Sequence, residues 1–288
     1  MPVKTKSMPA ELPAPEVIDA AEPLLAYARG EIDLVVVLGP TASGKTKYAV
    51  SLAREMNALI SLGLAEGCPV RMTEAPGLTG AEIISADSRQ IFRGMDIGTG
   101  KDLCEYGEIP YHLIDILPAG AHYNVYEFRN DFFTAYDGIR SRGAVPILCG
   151  GTGLYINAVT SGYDFSGQHP LSSPGAQCRG DRAPRSFVIG TLVSREVRNA
   201  RIDARLDARL AGGMVDEIKG LLDSGVPAQT LISYGLEYKF VTRYVLGEIS
   251  FDEMRCQLAT AIHQFAKRQM TWFRGMERSG TRIHWVEV

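Results

Sequence analysis

Aliphatic residues come in short unbroken runs through the first two-thirds of the chain and at helical spacing in the last third. The runs Leu34-Val35-Val36-Val37-Leu38, Val145-Pro146-Ile147-Leu148-Cys149 and Phe187-Val188-Ile189-Gly190-Thr191-Leu192 lack polar alternation. With the shorter stretch 82–85 they predict strands buried on both faces. A further strand is expected over 112–116. Between them, helical patterns cover 47–56, ending near Asn57, and 125–142, where Tyr126, Phe128, Phe132, Phe133, Tyr136 and Ile139 recur near helical spacing and read as core. From Val215 the pattern is helical to the end, with a turn at Gly225-Val226-Pro227. Ser250-Phe251-Asp252-Glu253 reads as a capping box opening a long amphipathic helix. Strands alternating with helices predict an α/β fold, a P-loop NTPase-like parallel sheet flanked by helices with a mostly helical C-terminal part.

Breakers divide the chain. Residues 1–31 carry Pro2, Pro9, Pro13 and Pro15 and read as a poorly ordered extension, a docking helix within 17–29 being the alternative. The stretches 61–80 and 162–185 are rich in glycine and proline and read as loops inserted into one domain spanning 32–288. For the first, a surface insertion and a functional lid are both open.

Composition excludes more than it assigns. Of 288 residues, 45% are hydrophobic and 22% charged, an ordinary globular balance, and no run approaches the roughly 18 apolar residues of a membrane span. Membrane insertion is thereby excluded. A net charge of −3 requires any nucleic-acid surface to be a local patch. Five scattered cysteines without a C-x-x-C pair argue against a disulfide framework or zinc site and suit a reducing cytoplasm.

Candidate chemistry begins where the first strand ends. Gly39-Pro40-Thr41-Ala42-Ser43-Gly44-Lys45-Thr46 fits G-x-x-x-x-G-K-[ST] between a strand and a helix. Its glycines let backbone N–H groups converge on an anion, Lys45 adds a point charge, and the Thr46 hydroxyl suits a magnesium ion bridging phosphates. Which phosphate it holds stays open. Asp87 follows the strand over 82–85, at the sheet end where ligands bind, and reads either as a catalytic carboxylate or as a cap of the next turn. Gly150-Gly151-Thr152-Gly153 is a second glycine turn, for a ligand or merely for tight packing. Arg198, Arg201, Arg205 and Arg209 fall on one helix side, for a polyanion or for solvent. Lys267-Arg268-Gln269-Met270-Thr271-Trp272-Phe273-Arg274 is a basic, aromatic cluster that either binds phosphate or RNA or complements a helix terminus.

These motifs, with Ser85-Ala86-Asp87-Ser88-Arg89-Gln90, Arg93-Gly94-Met95-Asp96-Ile97-Gly98-Thr99 and Pro110-Tyr111-His112-Leu113-Ile114-Asp115, occur in an order that resembles the tRNA dimethylallyltransferases, or tRNA isopentenyltransferases, over most of 33–288. The resemblance implies transfer of a dimethylallyl group from dimethylallyl diphosphate to N6 of the adenosine 3′ of the anticodon in tRNA. It implies that Gly39, Pro40, Thr41, Ala42, Ser43, Gly44, Lys45 and Thr46, with Arg201 and Arg205, hold the diphosphate, and that Mg2+ sits at Thr46. It assigns catalysis to Asp87 and Thr41, and RNA contact to Asp87, Ser88, Arg89, Gln90 and Thr152. A monomer in the cytoplasm is expected. Three departures stand out: 162–185 replaces a larger helical insertion, 61–80 is extra, and Tyr234-Gly235-Leu236-Glu237-Tyr238-Lys239 replaces the usual Gly-Tyr-Lys-Glu. The alternatives are prenylation of free AMP, ADP or ATP, a small-molecule kinase, and a non-enzymatic nucleotide switch.

Overall fold

The computed structural model describes residues 13–63, 77–161 and 183–288. In chain order, α1 (Ala21–Ala28), β1 (Leu34–Leu38), α2 (Lys45–Leu62), β2 (Gly80–Ser85) and β3 (Phe92–Arg93) are followed by a 3-10 turn (Leu103–Glu105). Next come β4 (Tyr111–His112), β5 (Leu117–Pro118), α3 (Val125–Ser141), β6 (Ala144–Gly150), α4 (Gly153–Thr160) and β7 (Ser186–Leu192). The last third holds α5 (Arg195–Ala211), α6 (Met214–Asp223), α7 (Ala228–Tyr234), α8 (Leu236–Val245), α9 (Phe251–Arg278) and β8 (Ile283–Glu287).

Six strands make one sheet in the order β4-β2-β6-β1-β7-β8, and every neighbouring pair is parallel. The unbroken aliphatic runs follow from burial on both sides. Leu34, Val36 and Leu38 pack with Ile84, Leu148 and Val188 beneath α3, α4 and α9, while Val35 and Val37 pack with Ile83, Ile147 and Ile189 beneath α1 and α2. Of the α3 aromatics, Phe128, Phe132 and Tyr136 are core as expected, whereas Phe133 and Tyr126 are half-buried, Phe133 packing against the core from its edge. Because β2, β6 and β1 are adjacent, the loops leaving their carboxyl ends meet on one edge of the sheet, where ligands bind in parallel α/β folds.

The chain departs from the sequence expectations in four places. α2 runs past Asn57 to Leu62, because the Asn57 side chain accepts the backbone N–H of Ala81 at 2.8 Å instead of breaking its own helix. The strand expected over 112–116 shrinks to Tyr111–His112, because Leu113 (φ 62°) and Asp115 (φ 56°) turn the chain through left-handed conformations no strand tolerates. The C-terminal helical pattern ends in a strand, β8, aligned with β7 from Val188↔Ile283 to Leu192↔Glu287. From residue 13 the N-terminal segment is docked and not loose: α1 buries Leu24, Glu16 N–H donates to Trp285 O at 2.6 Å, and the Glu16 carboxylate meets His284 Nδ1 at 2.7 Å. Burying one leucine is worth about 1.5–3 kcal/mol, enough to seat a short helix that propensity alone would not. Residues 1–12, and most of the expected insertions 61–80 and 162–185, lie outside the described residues.

Candidate active site

The phosphate-binding loop is a backbone concavity. Ala42 (φ 60°) and Gly44 (φ 80°) take left-handed conformations on either side of Ser43, which turns successive N–H groups inward, and Lys45 and Thr46 open α2. The loop lies flat on β7: a Cβ on Gly39 would fall 2.1 Å from Thr191 Oγ1, and the buried Ser43 hydroxyl hydrogen-bonds Thr191 Oγ1 at 2.7 Å. Gly39 and Ser43 therefore shape the loop from behind, whereas Thr41, Ala42, Gly44, Lys45 and Thr46 line a cavity of about 260 Å³.

Across that cavity stand Asp87, Arg89 and Gln90 after β2, Gly150 at the end of β6, and Arg205 and Arg209 from α5. Asp87 caps the next turn and also lines the cavity. Its Oδ1 accepts the Arg89 N–H at 3.0 Å as a turn cap, and the carboxylate still faces the cavity. Ser88 and Thr152 lie just outside the lining and tie two loops together, Ser88 N–H donating to Thr152 Oγ1 at 3.2 Å. Pro40 is buried and outside the lining. Arg201 is exposed and absent from the lining; about one and two turns further along the helix, Arg205 and Arg209 reach the cavity.

The arginines are held by acids. Arg89 Nη1 donates to Glu237 Oε2 at 2.8 Å, and its Nε lies 3.7 Å from Asp87. Arg209 shares the same buried Glu237, at 3.5 Å, and Arg205 pairs with Asp102 at 2.9 Å. Cation outweighs anion here, and the ionisation equilibria register it. Burial, helped by Arg205, pulls the Arg209 pKa down to about 10. Lys45 keeps some solvent contact through the cavity, yet the protein around it lowers its pKa; Arg205 and Arg89 add to that and Asp87 opposes it. For Arg89, burial alone would lower the pKa, but Glu237 and Asp87 more than offset it. Below the loop, burial pushes the Cys149 thiol up to about 12, leaving it neutral. An anion entering this cavity meets cations already desolvated and in place.

Three residues that the sequence reading did not assign fix this geometry. Glu237, on α8, orients two arginines; a carboxylate inside an apolar helical pattern was its signal. Glu217, on α6, accepts the backbone N–H groups of Asp96, Ile97 and Gly98 at 2.8, 2.7 and 3.0 Å and the Tyr238 hydroxyl at 2.7 Å. It thereby clamps the loop that brings Thr99, Gly100 and Asp102 to the cavity wall, a loop also pinned by the buried Lys101 ammonium, which donates to Phe92 O, Asp96 and Asp115. Gln269, on α9, bridges Thr41 and Gly151.

No group of three or more His, Cys, Asp or Glu side chains suited to a metal occurs among the described residues. The donors present are the Thr46 hydroxyl and the cavity carboxylates, a set that suits a magnesium ion taking most of its ligands from substrate phosphates and water. Cys104, Cys149 and Cys256 are free thiols, and no described helix is long and apolar enough to cross a membrane.

The model of the IPP transferase family matches residues 90–179 and 166–276. The chain is 43% identical to tRNA dimethylallyltransferase 1 of Parabacteroides distasonis, an alignment covering 89% of this chain and 92% of that one. It is 44% identical to tRNA dimethylallyltransferase 1 of Porphyromonas gingivalis, over 88% and 94%. Its fold matches the crystal structure of the full-length tRNA isopentenylpyrophosphate transferase of Bacillus halodurans with a TM-score of 0.69 at 29% identity, covering 88% of this chain and 89% of that one.

Proposed function

The chain belongs to the IPP transferase family of tRNA dimethylallyltransferases, and from that premise we propose that it transfers the dimethylallyl group of dimethylallyl diphosphate to N6 of the adenosine 3′ of the anticodon in tRNA. The observation that carries the reading is one cavity with the phosphate loop and three arginines on its walls and the Asp87 carboxylate facing them.

The reaction follows from that arrangement. The N6 lone pair attacks C1 of the prenyl group, the C1–O bond breaks, and the diphosphate leaves with the bonding electrons. Asp87 takes the proton that N6 loses. Thr41 hydrogen-bonds the departing oxygen, and Lys45, Arg205 and Arg209 neutralise the charge that develops on it. Arg209 replaces Arg201 in this assignment because it reaches the cavity and Arg201 does not. A magnesium ion held at Thr46 would further neutralise the diphosphate. To bring N6 to Asp87 the adenosine must leave its stack, with Ser88, Arg89, Gln90 and Thr152 around the entry. A monomer in the cytoplasm is the form we propose, the free thiols suiting a reducing compartment.

Free adenine nucleotides are the less favoured acceptor. The missing insertion argued for them, but this chain spans 92% and 94% of relatives named for tRNA, so its compact form does not set it apart. The test supplies labelled dimethylallyl diphosphate and magnesium with either unmodified tRNA carrying adenosine 3′ of the anticodon or AMP. Label should enter tRNA, and Asp87→Asn should lower kcat about 10²–10⁴-fold, the usual worth of a general base. Label entering AMP alone would overturn the reading.

A further inference from the structure

The Gln269 side chain is buried, 8% exposed, and both ends of its amide are engaged across the active site. Oε1 accepts the backbone N–H of Thr41 at 2.8 Å, and Nε2 donates to the backbone carbonyl of Gly151 at 2.8 Å. The partners leave one orientation open, since a flipped amide would set donor against donor and acceptor against acceptor. A Cβ on Gly151 would fall 2.6 Å from Gln269 Nε2 and 3.1 Å from Gly39 O, so the two glycine loops and α9 are in direct contact. Gly151 is followed by Thr152, whose N–H donates to Ala86 O at 3.2 Å and whose hydroxyl accepts the N–H of Ser88, next to Asp87. A continuous line of hydrogen bonds thus runs from Thr41, through one side chain, to the turn that presents Asp87.

We propose that Gln269 is a positioning residue for the transfer: it sets the distance between the loop that holds the leaving diphosphate and the turn that holds the acceptor base. The proposal rests on the prenyl-transfer reading, in which Thr41 faces the leaving group and Asp87 faces N6. Gln269 reaches the cavity wall, but both ends of its amide are occupied by backbone partners. It acts through two backbone groups, one on each side of the reacting bond. Its neighbours on the same face of α9 reinforce the position, Phe265 lying under the Arg89 guanidinium at 5.4 Å and Trp272 packing against Gly153. An amide is well suited to this bridge, because one planar group offers an acceptor and a donor on the same edge, and no apolar side chain of equal size does.

Gln269→Met keeps the volume and removes both hydrogen bonds. In labelled-prenyl transfer it should lower kcat about 10–100-fold, the effect of misplacing reacting groups by about an ångström, while KM for tRNA and for dimethylallyl diphosphate stays within about threefold. Hydrogen exchange of the free protein should show the Thr41 amide exchanging faster in this variant, a readout that needs no turnover. If Gln269→Met does not fold, Gln269→Glu takes its place: its carboxylate still accepts from Thr41 but repels Gly151 O, so kcat should fall while the Thr41 amide stays protected. An unchanged kcat, an unchanged Thr41 exchange in Gln269→Met, or a loss confined to KM for tRNA would each overturn the proposal. Failure of the wild-type protein to transfer label would instead remove the functional reading, and the exchange result would still decide whether Gln269 holds the loop.

Discussion

Among single residues, Glu237 carries the largest electrostatic burden. It is 3% exposed and stands between Arg89 and Arg209, two guanidiniums that face a cavity already containing Lys45 and Arg205. Removing its charge leaves both arginines desolvated, Arg89 with Asp87 and Arg209 with the more distant Asp102, and breaking a buried pair costs on the order of 3 kcal/mol because the stranded charge stays buried. Glu237→Gln should therefore lower the urea unfolding midpoint markedly. Added pyrophosphate should narrow the gap to wild type, since an anion in the cavity supplies the missing charge to the folded state only. A gap that pyrophosphate leaves untouched would separate Glu237 from the anion site. Residues of this kind were the least legible in the sequence. Lys45, Thr46 and Asp87 announce themselves through local spacing, but Glu237 acquires meaning from Arg89 and Gln269 from Thr41 and Gly151, all more than a hundred positions away, and Arg209 differs from Arg201 only through the rotation of the helix against the sheet.

At the level of elements, the site depends on how tightly the ends of β1, β2 and β6 approach one another. Gly150 closes β6, and a Cβ there would sit 2.4 Å from the backbone carbonyl of Ala86, an atom that cannot swing aside. Gly150→Ala must push the Asp87 turn away from the second glycine loop. Overpacking of this sort costs about 1–3 kcal/mol, which in a chain of this size should appear as a melting temperature lowered by several degrees. A variant melting with wild type would mean that the turn gives way freely. The strands that build this edge could be read in advance because burial on both faces leaves continuous aliphatic runs. β8 could not, because Ile283-His284-Trp285-Val286 is too short and mixed to carry a period and becomes a strand only by aligning with β7. The curtailed β4 has the opposite cause: residues 113–116 are apolar enough for a strand, but Asp115 is drawn aside to the buried Lys101, and the chain turns with it.

For the molecule as a whole, a net charge of −3 sets a condition on RNA binding. Affinity for a polyanion cannot come from the overall field, so it must come from a patch, and its salt dependence counts the cations in that patch. α9 supplies candidates at its outer surface, where Lys267 and Arg268 are exposed two and one positions before the buried Gln269. Arg268 and Gln269 stand about 100° apart around the helix, one exposed and one buried, and their kinetic signatures should differ accordingly. Arg268→Ala should raise KM for tRNA, leave kcat at saturating tRNA near wild type, and reduce the slope of log affinity against log salt by about 0.7–0.9, one phosphate contact. Gln269→Met should leave that slope alone and depress kcat. Titrating tRNA binding at several salt concentrations for both variants separates the two roles. If Arg268→Ala shifted neither KM nor slope, the patch that grips the RNA would lie elsewhere on the surface, and α9 would serve the reaction from its inner face alone.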